Sequence, residues 1–128
     1  MSESSTILVV EDNDFVRMQI AGFLKGASHN VVEARNGEEA LEIMSPDNAV
    51  NLAIVDVRMS PMGGFEFLRL IRSQNIGTPV ILVTGDQTAD ILEQAGKLGV
   101  SAVLMKPVEK DRLIKTVERT IESRRRVR

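Results

Sequence analysis

The chain has 128 residues with 43% hydrophobic and 27% charged side chains, the size and mix of one globular domain with a single core. With a formal net charge of −2, bulk electrostatics argues for neither nucleic acid nor anionic membrane as a partner. With no Cys, Trp or Tyr and one His, it lacks the makings of a disulfide framework, a thiolate metal site, a Cys nucleophile, a His-based triad or a multi-His metal site. The N-terminus, MSESSTILVV, has neither the basic start nor the apolar length of a signal peptide. No apolar run approaches the roughly 20 residues that span a bilayer, so a cytoplasmic location is expected.

Thr6-Ile7-Leu8-Val9-Val10 is β-branched and apolar and predicts a strand. It stops on Glu11-Asp12-Asn13-Asp14, where Asp12, Asn13 or Asp14 is placed to cap the helix that follows. In that helix Val16, Ile20, Phe23, Leu24 and Ala27 recur at helical spacing, and Gly26-Ala27-Ser28 closes it. His29 falls in the turn beyond and is expected to face solvent without a role. Asn30 to Ala34 predicts a second strand. Asn36-Gly37 opens a second helix carrying Ala40, Leu41 and Met44 inward, broken by Ser45-Pro46-Asp47-Asn48.

The third strand, Leu52-Ala53-Ile54-Val55, is continuously apolar and ends on a carboxylate, Asp56. Such a run suits a strand buried on both faces of a parallel sheet. A loop rich in Met, Ser, Pro and Gly follows, then a helix over Phe65 to Ser73 with Phe67, Leu68 and Ile71 inward. Val80-Ile81-Leu82-Val83 is a fourth buried strand ending on Thr84-Gly85-Asp86. The fourth helix carries Ile91, Leu92, Ala95 and Leu98 inward and stops at Gly99; Gly96 inside it costs up to about 1 kcal/mol against Ala, which makes it the weakest helix. Ser101 to Met105 is the fifth strand, ending on Lys106-Pro107. A last helix, Glu109 to about Arg124, turns Leu113, Ile114, Val117 and Ile121 to the core.

This alternation predicts an α/β fold: a (βα)5 doubly wound parallel sheet, strand order 2-1-3-4-5, flavodoxin-like, with helices on both faces. It fills residues 1–128 as one domain, with a core of about 5–123 and a basic C-terminal tail at 124–128. The ends of strands one, three, four and five then share one sheet edge, the edge that open α/β sheets use for ligands. They bring Glu11 and Asp12, Asp56, Thr84 and Lys106 together. Three adjacent carboxylates raise one another's pKa unless a cation intervenes. All-oxygen donors with several retained waters favour Mg²⁺ over a dedicated Ca²⁺ cage. Lys106 adds a flexible positive charge suited to a phosphate oxygen, and Thr84 adds a hydroxyl donor. One carboxylate nucleophile, one metal site, one ammonium and one hydroxyl make a phosphoryl-transfer site with an aspartyl phosphate as its covalent product. The bland alternatives are a capping cluster at residues 11–14, a plain strand-end Thr84 and a solvated Lys106. Met59 and Met62 read as loop packing rather than redox groups.

In these residues the chain resembles the receiver domain of two-component response regulators over essentially its whole length. The resemblance is carried by the acidic pair Glu11-Asp12, by Asp56 with Met59 and Gly64 after it, by Thr84 followed by a small Gly85, and by Lys106-Pro107. It implies that Asp56 accepts a phosphoryl group from a sensor histidine kinase or a histidine phosphotransfer protein. It further implies that Glu11, Asp12 and Asp56 hold Mg²⁺ with the backbone carbonyl of Arg58, that Thr84 swings toward the phosphate, that Lys106 pairs with it, and that the Lys106-Pro107 bond is cis. Such a protein signals by contact with a downstream protein target, or through an output domain outside this chain, and turns over no metabolite.

Four positions depart from the family pattern. Glu11 replaces the commoner Asp, and Ser60 stands where Pro is usual, with Pro61 displaced by one. Val103 occupies the place of an aromatic that reorients on activation, and Val108 that of a frequent Phe. Two readings from other classes therefore stand beside the switch: a constitutive pseudo-receiver interaction module, and a Mg²⁺-dependent phosphohydrolase, disfavoured by the lack of a second carboxylate close to Asp56 in sequence and of a cap insertion. Arg58 and Asp86, each two residues past a key residue, are expected to pair over the site and limit the water that hydrolyses an aspartyl phosphate. The C-terminal arginines make a poor nucleic-acid site without a second basic patch and read better as a solvated helix end or the start of a linker.

Overall fold

The computed structural model describes residues 5–44, 49–86 and 88–126. Five strands, β1 (Thr6–Val10), β2 (Asn30–Ala34), β3 (Leu52–Asp56), β4 (Val80–Thr84) and β5 (Ala102–Met105), alternate with five helices. These are α1 (Asp14–Gly26), α2 (Gly37–Ile43), α3 (Gly64–Ser73), α4 (Ala89–Lys97) and α5 (Lys110–Arg126). All pairings are parallel and the order is β2-β1-β3-β4-β5, the expected doubly wound topology.

Period-two alternation divides each strand between two apolar layers. Leu8 and Val10 of β1, with Ala53 and Val55 of β3, pack with Ala40, Phe67, Leu68, Ile71 and Ala95 on the α2, α3 and α4 side. Ile7 and Val9, with Leu52 and Ile54, pack with Ile20, Leu24, Leu113 and Val117 on the α1 and α5 side. Each fully buried Leu, Ile or Phe contributes about 1.5–3 kcal/mol, so the doubly covered central strands are the main source of stability.

Local signals set the helix ends. Asn13 caps α1 by accepting the Val16 amide at 3.0 Å, and Asn36 caps α2 through the Glu39 amide at 3.0 Å. Gly99, at φ +69°, follows the end of α4 in the left-handed conformation that glycine adopts without penalty. The Ser45-Pro46-Asp47-Asn48 breaker lies outside the described residues.

Two expectations need correction. Leu92 is 46% exposed: the buried residues of the short α4 are Ile91 and Ala95, with Leu98 packed against the core just beyond its end, and Leu92 lies outside that strip. His29 is half-buried, with both ring nitrogens shielded from solvent and without a hydrogen bond, because the turn folds back so that its amide bonds Leu24. The last helix, expected to about Arg124, runs as α5 to Arg126, and residues 127–128 lie outside the described residues.

Candidate functional site

Parallel register assembles the site. Val10 pairs with Val55, which brings Glu11 level with Asp56 at the C-terminal edge of β1 and β3. Asp56 pairs with Val83 and Thr84 with Met105, so Thr84 and Lys106 follow at the same edge. The β3–α3 loop turns back sharply here, with the Gly64 amide donating to the Val57 carbonyl at 3.0 Å. A Cβ at Gly64 would overlap the backbone carbonyl of Asp56, so only glycine admits this close approach. Met59 is buried, and Met62 packs against Gly37 at the start of α2, in keeping with loop packing.

Carboxylate oxygens of Glu11, Asp12 and Asp56 lie within 4.8 Å of one another. Glu11 and Asp56 are buried, 1% and 5% exposed, while Asp12 faces solvent. The Lys106 ammonium stands between the two buried acids, 2.8 Å from Glu11 Oε1 and 3.2 Å from Asp56 Oδ1. Burial pushes the Asp56 carboxyl above the usual carboxylate range, against the downward pull of Lys106. Burial likewise raises Glu11, opposed by Lys106 and by the Asn13 amide, which donates to Glu11 Oε2 at 3.1 Å. For Lys106, burial works against the charge but is outweighed by the two acids, which hold its pKa above the usual lysine value.

The donor set fits a hard divalent cation. The three side chains that could ligate are all carboxylates, their charge exceeds that of Lys106, and Glu11 Oε1 is buried with no hydrogen bond, held by the ion pair to Lys106.

Two further expected residues lie around this core. Thr84 is buried, and its hydroxyl is engaged with the backbone of Asp86, donating to the carbonyl and accepting from the amide, each at 3.0 Å. Arg58 Nη2 donates to Asp86 Oδ2 at 3.0 Å, the pairing read from sequence. The Lys106-Pro107 bond is cis, as is Ser60-Pro61. Val103 is half-buried and packs into the α2, α3 and α4 layer.

Sequence reasoning missed Arg17. It is 8% exposed, and its guanidinium reaches the Glu11 carbonyl, Asp14 and Glu33. The one signal in the sequence is the Asp14-to-Arg17 spacing of a helical ion pair; the contact with Glu33 on β2 carries none.

The description "Response regulator receiver domain" fits residues 7–118 through its family model. A cyclic di-GMP phosphodiesterase of Thermotoga maritima is 32% identical over 119 residues, covering 93% of this chain and 32% of that protein. The transcriptional regulatory protein ZraR of Escherichia coli K12 is 32% identical over 115 residues, covering 90% of this chain and 26% of its own length. The chain thus spans under a third of the length of these curated relatives. Among solved structures, a response regulator receiver protein from Pseudomonas putida superposes with a TM-score of 0.85 at 30% identity, covering 93% of this chain and 99% of that one. Among the described residues no helix is long and apolar enough to cross a membrane.

Proposed function

The chain belongs to the response regulator receiver domain family of two-component systems, and from that premise we propose that it is a phosphorylation switch in which Asp56 is the phosphoacceptor. The observation that carries this reading is the Lys106 ammonium standing between buried Glu11 and Asp56, at the sheet edge that also bears Thr84.

The donor in this reading is a phosphohistidine on a sensor histidine kinase or a histidine phosphotransfer protein. A carboxylate oxygen of Asp56 attacks phosphorus, the P–N bond breaks, and its electron pair returns to the donor imidazole. Glu11, Asp12 and Asp56, with the Arg58 carbonyl, are the groups that would hold Mg²⁺. Bound there, the ion neutralises charge on the phosphoryl oxygens. Lys106 pairs with a phosphoryl oxygen as its contact with Asp56 is given up. The Thr84 hydroxyl releases the Asp86 carbonyl and donates to another. Water later attacks phosphorus, phosphate leaves, and the Asp56 carboxylate is restored.

The product adds about −1.5 to −2 charges, by analogy with other phosphoresidues, and biases a two-state surface near α4, β5 and α5. The output is contact with a downstream protein target or with an output domain beyond this chain. We place the protein in the cytoplasm, with residues 1–128 acting as one receiver unit. Borohydride reduction of the phosphorylated protein, followed by peptide mapping, should find homoserine at position 56. Homoserine at another position would assign the wrong acceptor.

One observation favours a second reading, a constitutive pseudo-receiver module: Val103 is packed where an aromatic would reorient. Equal partner binding with and without phosphorylation would select it.

A further inference from the structure

Arg17 is a charged side chain in the first turns of α1 that is nearly out of solvent, on a helix face otherwise given to Ile20, Ala21 and Leu24. Side chains on a helix lean toward its N-terminus, which directs this one back under the loop carrying Glu11 and Asp12. Each nitrogen of the guanidinium donates a bond there. Nη1 donates to the Glu11 carbonyl at 2.9 Å, Nη2 to Asp14 Oδ1 at 2.6 Å, and Nε to Glu33 Oε1 on β2 at 3.1 Å. A buried guanidinium is tolerated when its donors are matched in this way, and the flanking carboxylates balance its charge locally.

The consequence falls on two acids that Arg17 does not itself touch through their side chains. The Glu11 amide is bonded to the Ala34 carbonyl at 3.0 Å, and its carbonyl is bonded to Arg17. Glu11 is therefore pinned on both sides of its Cα. Because the peptide unit is planar, fixing the Glu11 carbonyl also fixes the Asp12 nitrogen and the direction in which Asp12 leaves the strand. Glu11 has one more methylene than Asp and so one more torsion to restrain. A firmly held backbone adds to the direct contacts of its carboxylate with the Asn13 amide and the Lys106 ammonium, and sets the point from which that carboxylate reaches the cluster with Asp12 and Asp56.

We infer that Arg17 is a positioning residue for the divalent-cation site, holding Glu11 and Asp12 in ligating geometry through the Glu11 carbonyl. The inference rests on the proposed function, which supplies the cation. Partners behind metal ligands typically carry 10- to 100-fold in metal affinity. A lysine retains the charge but cannot reproduce a planar three-nitrogen fork.

The test is calorimetric titration of Mg²⁺ into the unphosphorylated protein, for the parent, Arg17→Ala, Arg17→Lys and Glu33→Gln, well below each variant's melting temperature. The expected result is a Kd raised about 10- to 100-fold in Arg17→Ala, an intermediate rise in Arg17→Lys and the smallest in Glu33→Gln. A purely structural role would lower the melting temperature and leave Kd alone. Arg17→Ala folded and binding Mg²⁺ as tightly as the parent would overturn the inference. If Arg17→Ala does not fold, Arg17→Lys decides in the same way. A parent that takes up no Mg²⁺ would overturn the proposed function, and this inference with it.

Discussion

Arg58 and Asp86 are 28 residues apart in sequence and form an ion pair 3.0 Å long, each two residues beyond a residue of the site, Asp56 and Thr84. Both side chains are substantially exposed, so the pair adds only about 0–1 kcal/mol to stability. Its position gives it a different use. In the proposed switch the closed pair would restrict the approach of water to a phosphoryl group on Asp56. Arg58→Ala should speed loss of the phosphoryl group by up to about fivefold, the rate equivalent of that energy, with little change in melting temperature. The check is the decay of phosphorylated mass with time. An unchanged lifetime would remove the gate.

Lys106 compensates two buried acids at once. In Lys106→Met both lose their cation, which should cost about 1–3 kcal/mol, less than for a fully buried ion pair because the lysine keeps some access to water. Urea unfolding at neutral pH measures it. Since the proposed function has the two acids also hold a cation, Mg²⁺ should restore more stability to Lys106→Met than to the parent.

The buried acids set a pH dependence. Burial raises the folded-state pKa of both Glu11 and Asp56 above their ordinary values of 4.5 and 3.8. A raised folded-state pKa means that the folded form holds its proton more tightly than the unfolded form. That contribution to stability is full below the ordinary values and is lost as pH rises through the raised ones. Without Mg²⁺, the melting temperature should therefore fall across that interval on account of these two groups. Asp56→Asn should flatten the fall and add about 0.5–2 kcal/mol near neutral pH, as relief of a strained functional site commonly does. Thermal unfolding over a pH series decides this, and an unaltered slope in Asp56→Asn would contradict it.

Two glycines should respond in opposite senses to Ala. At Gly64 the added methyl meets the Asp56 carbonyl and Val55, so Gly64→Ala should cost about 1–3 kcal/mol or more and displace Asp56, the proposed acceptor, directly. At Gly96, inside α4, nothing lies within 4 Å of the new Cβ. Gly96→Ala should gain about 0.4–1 kcal/mol by stiffening the unfolded chain. Chemical denaturation of both variants provides the comparison.

The fold was legible because β1, β3, β4 and β5 are short apolar runs ended by a residue of distinct chemistry, so strand limits and site residues were marked by the same letters; the edge strand β2, NVVEA, carries no such mark. Glu11, Asp12, Asp56, Thr84 and Lys106 could be gathered from chain order alone, since parallel strands place like ends together. What escaped were properties of surfaces between elements. Leu92 fits the helical period of α4 but lies outside the narrow strip that the sheet covers. His29 was read as a turn residue, yet the turn folds back against the end of α1. Arg17 was the costliest omission: a charged residue beside an apolar stripe reads as solvated, and only tertiary structure brings the Glu11 carbonyl and Glu33 to its guanidinium.

The central claim is the metal-dependent aspartyl switch, and intact mass tests it most directly. The protein is incubated with acetyl phosphate and Mg²⁺, beside Asp56→Asn and a sample containing EDTA. One added phosphoryl group in the parent, absent from both controls, is the predicted result. A parent that gains no mass, or an adduct that persists in Asp56→Asn, would contradict the assignment of Asp56 as acceptor.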